Sequence, residues 1–154
     1  MPPAAHVGII SIYLAKRYPG IRVLAYEPSF ANHARMTKNI DANTLGDADL
    51  HWYNRAVTKD GRVVHMEGDA AINSGGLSVY GRPGVVANQE FAESVTLADI
   101  VRMHNIDRIA LLKIDCEGAE DHAVRWLWPA IESRAVQHLL IEVSPVFADY
   151  YPDL

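Results

Sequence analysis

Only one cysteine, Cys116, stands among the 154 residues, so no disulfide can close within the chain and nothing marks an oxidising compartment. A basic excess is also missing. Lys and Arg number 14 against 19 Asp and Glu, for a formal charge of -5, which gives no long-range attraction for a nucleic acid backbone. No apolar run approaches the roughly 20 residues needed to cross a bilayer, and the opening MPPAAHVGIISIYLAKRYPG has no basic stretch ahead of its apolar part. It reads as folded domain and not as a signal. These absences predict a cytoplasmic chain with neither nucleic acid nor membrane as a partner. Glycine occurs ten times but never as G-x-G-x-x-G, the pattern that lets backbone amides approach a dinucleotide pyrophosphate.

What is present is ordinary for one soluble domain: 49% hydrophobic and 21% charged residues, with no repeat and no low-complexity linker, so residues 1–154 are taken as a single domain. Apolar spacing predicts a helix over residues 4–18, stopped by Pro19-Gly20, then a strand over 21–26 ended by Glu27-Pro28. Ser29 caps a second helix reaching about residue 42, with Phe30, Ala34 and Ile40 inward. Strand-like runs at 50–57 and 62–66 flank Lys59-Asp60-Gly61, read as a hairpin turn, and residues 73–84, with four glycines and a proline, read as a loop. A brief strand at 94–96, a helix capped by Thr96, a clear strand at 109–115, helical pattern at 119–127 and a last strand at 138–143 complete the pass. Trp126 and Trp128 are assigned to packing of that helix on the sheet.

The runs IRVLAY, IALLKI and LLIEV are continuously apolar, not alternating, which argues for an α/β fold with a mostly parallel sheet covered by helices on both faces. In such sheets ligands sit off the carboxyl ends of the strands, and three of those ends carry acids: Glu27, Asp115 and Glu142. Glu27 lies about one βα unit beyond Gly8, the interval at which an acid binds a ribose diol; a solvated strand end explains it equally well. With a pyrophosphate disfavoured, S-adenosylmethionine, which has the diol but no phosphates, fits better than a nicotinamide dinucleotide.

In Asp115-Cys116-Glu117-Gly118-Ala119-Glu120 three carboxylates meet at a strand-to-helix turn, a costly concentration unless a cation or helix-terminal amides offset it. Mg²⁺ or Ca²⁺ would suit such hard oxygen ligands, but the methyl donor is preferred and no metal is assigned. The bland alternative is that Glu117 and Glu120 only complement a helix N-terminus, which accounts for Glu120 better than for Asp115. His122 is a helix-surface histidine or a base, Lys113 a carboxylate partner or a surface lysine, and Cys116 a small buried side chain.

The segments IISIYLAKRYPGIRVLAYEPSF, KNIDAN, YNRAV, VTLADIV, LLKIDCEGAE and LLIEV, in that order, resemble the FkbM-type methyltransferases, with LLKIDCEGAE the most specific. The resemblance implies a class I, Rossmann-like sheet and methyl transfer from S-adenosylmethionine, typically to a hydroxyl oxygen of a small molecule or glycan. It implies that Gly8 closes the cofactor loop, Glu27 holds the ribose, and Arg55 and Ala56 lie near the adenine. Asp115 would line the cofactor and acceptor pocket, with Glu117 and Glu120 shaping it and residues 74–84 helping to cover it; as a carboxylate there, Asp115 is also the candidate to take or orient the acceptor proton. Against the family pattern, MPPAAHVG keeps only the tail of the first cofactor loop. The first, central strand is therefore expected to be missing and the domain to be incomplete at both ends, which leaves open a fragment, a misassigned start, a degenerate copy, or a chain that repairs the gap by swapping a strand or forming a homo-oligomer. The competing reading is a catalytically silent remnant of the fold that acts through protein contacts.

Overall fold

The computed structural model describes residues 5–68, 88–115 and 134–142, together with Arg125, Trp128, Pro129, Ile131 and Glu132. Helix α1 (Ile9–Arg17) starts five residues later than apolar spacing predicts, because His6 (φ 53°) and Gly8 (φ 82°) take left-handed backbone conformations that a right-handed helix cannot include. Residues 5–8 instead form a turn, closed by Gly8 N–H donating to the Ala5 carbonyl at 3.0 Å.

Strand β1 (Arg22–Tyr26), helix α2 (Phe30–Asp41) and strand β2 (Asp49–Tyr53) form a βαβ unit, with β1 and β2 parallel from Arg22 opposite Asp49 to Tyr26 opposite Tyr53. Ser29 caps α2 as the sequence predicts, its hydroxyl accepting from the Asn32 amide. One face of the pair, carrying Val23, Ala25 and Leu50, is covered by Ile12 and Ala15 of α1 and by Met36 and Ile40 of α2. The inward stripe of α2 is therefore Asn32, Met36 and Ile40, one turn apart; Phe30 lies off that stripe and is 70% exposed, contrary to the inward position its apolarity suggests. The opposite face carries Tyr26 and Tyr53, stacked with ring centroids 4.9 Å apart, and packs on Val57, Val95 and Ile100. Ile100 belongs to α3 (Leu97–Met103), so helices cover this strand pair on both sides.

After a bend at Asn54 and Arg55 come strands β3 (Ala56–Val57), β4 (Val64–Gly68), β5 (Asn88–Ala92) and β6 (Ser94–Val95). The turn at Lys59-Asp60-Gly61 is real, with Gly61 at φ 70°, but it is not a hairpin turn. β3 pairs parallel with β6, and β4 pairs antiparallel with β5, a strand unseen in the sequence because its partner lies across the glycine-rich stretch. A small second core of Ala56, Val64, Met66 and Ala92 holds this ribbon.

Helix α3 carries the strongest local signal in the chain, a capping box in which Thr96 and Asp99 exchange hydrogen bonds. Strand β7 (Leu112–Asp115) pairs parallel with β8 (Leu139–Glu142), extended by a bridge between Ile109 and Val136, and Ile114 is fully buried. Between them the described residues from 125 to 132 are helical, and Trp128 is mostly exposed, not packed in a core. The architecture is α/β, with three parallel strand pairs and one antiparallel pair among the described residues. No helix among them is long and apolar enough to cross a membrane.

Candidate functional site

The carboxyl end of β1 is where the chain concentrates polar groups it cannot leave unpaired. Glu27 follows the last residue of β1, and its amide continues the parallel ladder by donating to the Tyr53 carbonyl at 3.0 Å. Pro28 ends the strand and Ser29 starts α2, so the carboxyl side chain is folded back beneath the helix N-terminus. Only 2% of Glu27 is exposed. Its Oε1 accepts from the Ser29 amide at 3.0 Å and its Oε2 from the His6 amide at 2.7 Å. The second bond exists because of the turn at residues 5–8, whose Ala5 amide also donates to the Tyr26 carbonyl at 2.8 Å and fixes the turn against the strand end. Asn54 secures the far side, its Nδ2 donating to the carbonyls of Glu27 and Pro28 at 2.9 and 3.0 Å.

Burial dominates the electrostatics. It pushes the Glu27 carboxyl up to about 7, against the opposing pull of the Ser29 and His6 amides and the Asn32 side chain, with the nearby Glu90 carboxylate adding a smaller upward push. Among the described residues its partners are amides and not a cation. Gly8 is required beside it for shape: a Cβ at Gly8 would sit 2.7 Å from Cγ of the fully buried Met36, in a backbone conformation that L residues avoid.

The other residues singled out in the sequence fall in different surroundings. Arg55 lies on the surface with its guanidinium 3.4 Å from Oε2 of Glu93. Ala56 is fully buried in the core under the ribbon, with its amide donating to the Glu93 carbonyl at 2.8 Å, so its side chain offers nothing to a ligand. Asp115 ends β7, next to Glu142 in register, and its Oδ2 is 2.8 Å from Nζ of Lys113, two residues back on the same face of the strand. Lys113 is thus a carboxylate partner. Cys116, Glu117, Glu120, His122 and the glycine-rich residues 74–84 lie outside the described residues. No group of three His, Cys, Asp or Glu among the described residues is placed to hold a metal ion.

Two participants escape a reading of the sequence. His6 enters through its backbone amide, which no side-chain pattern reveals. Glu90 reaches from β5 across 60 positions in sequence to accept from the Phe30 amide, the next one after the amide Glu27 uses.

The family model described as methyltransferase FkbM domain matches residues 4–148. No curated protein and no solved structure matches the chain.

Proposed function

The chain belongs to the FkbM methyltransferase family, whose domain match covers nearly its whole length, and from this we propose that it transfers a methyl group from S-adenosylmethionine to a hydroxyl oxygen of a small molecule or glycan. The observation that carries the reading is Glu27, a carboxylate at a strand end, buried without a cation among the described residues and held by backbone amides. A carboxylate has about four acceptor positions; the Ser29 and His6 amides and the Asn32 side chain use three, so one ribose hydroxyl finds a position open and the second takes the place of a present donor. Because Oε2 is covered by the His6 amide, a diol reaching it displaces that bond, so ligand binding moves the turn at residues 5–8. The lack of a phosphate-cradling glycine pattern suits a nucleoside without phosphates.

Within this reading the β1–β2 and β7–β8 pairs are two halves of one Rossmann-like sheet, with Glu27 and Asp115 at carboxyl ends of its strands. Bound S-adenosylmethionine supplies a methyl group already activated on a sulfonium, so the chain's own residues have mainly to align it with the acceptor oxygen. Asp115 orients the acceptor hydroxyl and takes its proton, and Lys113 keeps the carboxylate in place for that role.

Titration calorimetry with S-adenosylmethionine tests the proposal. Diol donors favour the ionised carboxyl, so affinity should be full at pH 8 and fall by up to about tenfold per pH unit below about 7, where Glu27 takes up a proton. Glu27→Gln should weaken binding at pH 8 by roughly 10- to 100-fold, the cost of losing hydrogen bonds to a charged acceptor. The silent-remnant reading predicts no binding at either pH, and that result would remove the proposed activity.

A further inference from the structure

On the inner face of the β4–β5 ribbon a carboxylate, Glu90, stands beside apolar side chains. Val64, Met66 and Ala92 point into the small core with Ala56, while Glu90, opposite Met66 in the antiparallel register, lies on the same face. The outer face carries His65 stacked on Phe91, ring centroids 4.8 Å apart, with Phe91 mostly exposed. A carboxylate on an inward face is costly unless it finds a donor. Glu90 finds one at the N-terminus of α2, where its Oε1 accepts from the Phe30 amide. Ser29 N–H serves Glu27 and Phe30 N–H serves Glu90, so two carboxylates from distant parts of the chain share consecutive amides of one helix start.

We propose that Glu90 is a positioning residue for the cofactor-binding carboxylate: it fastens the β4–β5 ribbon to the start of α2 and holds a second negative charge beside Glu27. The proposal rests on the reading of Glu27 as the ribose acceptor. Its consequence is that the ribbon and the cofactor compete for the same local electrostatics. Ligand donors hold Glu27 in its ionised form, which repels Glu90, so a bound ligand loosens the ribbon's attachment.

The groups that face Glu27 decide how cleanly this can be read. From the turn before α1 comes His6, from α2 the neutral Ser29 and Asn32, and from β5 Glu90. Tyr26, one residue before Glu27, is pushed up to about 12 by burial, with a smaller upward push from Tyr53 and a downward pull from Arg55. Of these, Glu90 contributes the negative charge that raises the Glu27 carboxyl, after the larger effect of burial.

The experiment is a carboxyl carbon NMR titration of the full chain labelled on glutamate, with Glu27→Gln used to identify the Glu27 signal, combined with hydrogen exchange at the Phe30 amide. Glu90→Gln keeps an oxygen for the Phe30 amide but removes the charge; Glu90→Ala removes both. Both variants should lower the Glu27 midpoint from about 7, by on the order of half a pH unit. Only Glu90→Ala should speed exchange at Phe30. A Glu27 midpoint unmoved in Glu90→Gln, or a Phe30 amide equally protected in Glu90→Ala, overturns the proposal. Calorimetry keeps the two ideas apart: failure to bind S-adenosylmethionine in the unaltered chain sinks the function, while binding with an unmoved midpoint sinks only the role of Glu90.

Discussion

Replacing Glu27 by glutamine separates the charge of this side chain from its shape, and the stability of the variant follows from the structure. The carboxyl titrates near 4.5 in the unfolded chain and at about 7 in the folded one, where burial outweighs the amides that favour its charge. Between those values the folded chain holds a proton that the unfolded chain has lost. The contribution of Glu27 to stability therefore falls as pH rises from 4.5 to about 7 and is level beyond. At about 1.4 kcal/mol per pH unit, the whole loss is about 3 kcal/mol. Glutamine is neutral and close in shape to the protonated carboxyl, with one carbonyl oxygen to offer the Ser29 and His6 amides. At pH 5 the variant should match the unaltered chain within about 1 kcal/mol, the scale of one rearranged hydrogen bond. At pH 8 it should be more stable by about 2 to 3 kcal/mol. Urea unfolding in half-unit steps from pH 5 to pH 8 measures both curves, and their difference cancels the titration of other acids such as Asp49 and Asp99. Parallel curves would show that Glu27 is ionised without penalty and would refute the electrostatic account of the site.

Two further substitutions test the supports of the site. Gly8→Ala should cost about 2 to 4 kcal/mol in urea unfolding, from a left-handed alanine and the overlap with Met36; adding Met36→Ala should lose less than the two single changes summed, since the shorter side chain removes the overlap. Thr96→Ala should cost about 1 kcal/mol by loss of the α3 cap, and Thr96→Ser should restore most of it; equal loss in both would show that the methyl group and not the hydroxyl matters.

How much of this was legible in the sequence depends on how far the cause lies from the residue. The Ser29 and Thr96 caps act over three residues, and both are in place. The strands carrying Val23 to Ala25 and Ile114 announce themselves by continuous apolarity, and both pair in parallel. Phe30 was misjudged because apolarity says that a side chain gains from burial, while the face that gets buried was set by the spacing of Asn32, Met36 and Ile40 against β1 and β2. The partner of β4 is hidden because the nearest strand-like run is 50–57, whereas the ribbon closes over a longer connection that costs little more entropy. Glu27 was visible as an acid at a strand end, but its burial was not. That depends on the His6 amide, 21 positions away, and on the left-handed turn that aims it. Glu90 gave no signal, since a glutamate in NQEFA looks like any solvated residue until its helix-terminal partner is known.

Two of the strand-end acids, Glu27 and Asp115, are offset in different ways, and the contrast supports the proposal that Glu27 is the one that takes a ligand. Asp115 has an ammonium group 2.8 Å away, so its charge is balanced from within the chain. Among the described residues Glu27 has amide donors and no cation, and burial raises its carboxyl to about 7. A domain whose total stability is of the order of 5 to 15 kcal/mol gives up a large share of it at neutral pH to keep a carboxylate where glutamine would fold better. A stability cost at one buried position, with the surrounding caps and strands mutually consistent, is the pattern expected where function overrides folding. The missing stabilisation is what a ligand would provide if it brought hydroxyl donors and a positive charge. Such a ligand would raise the stability of the chain most above pH 7, where the carboxyl that accepts its hydrogen bonds is fully charged, and least near pH 5.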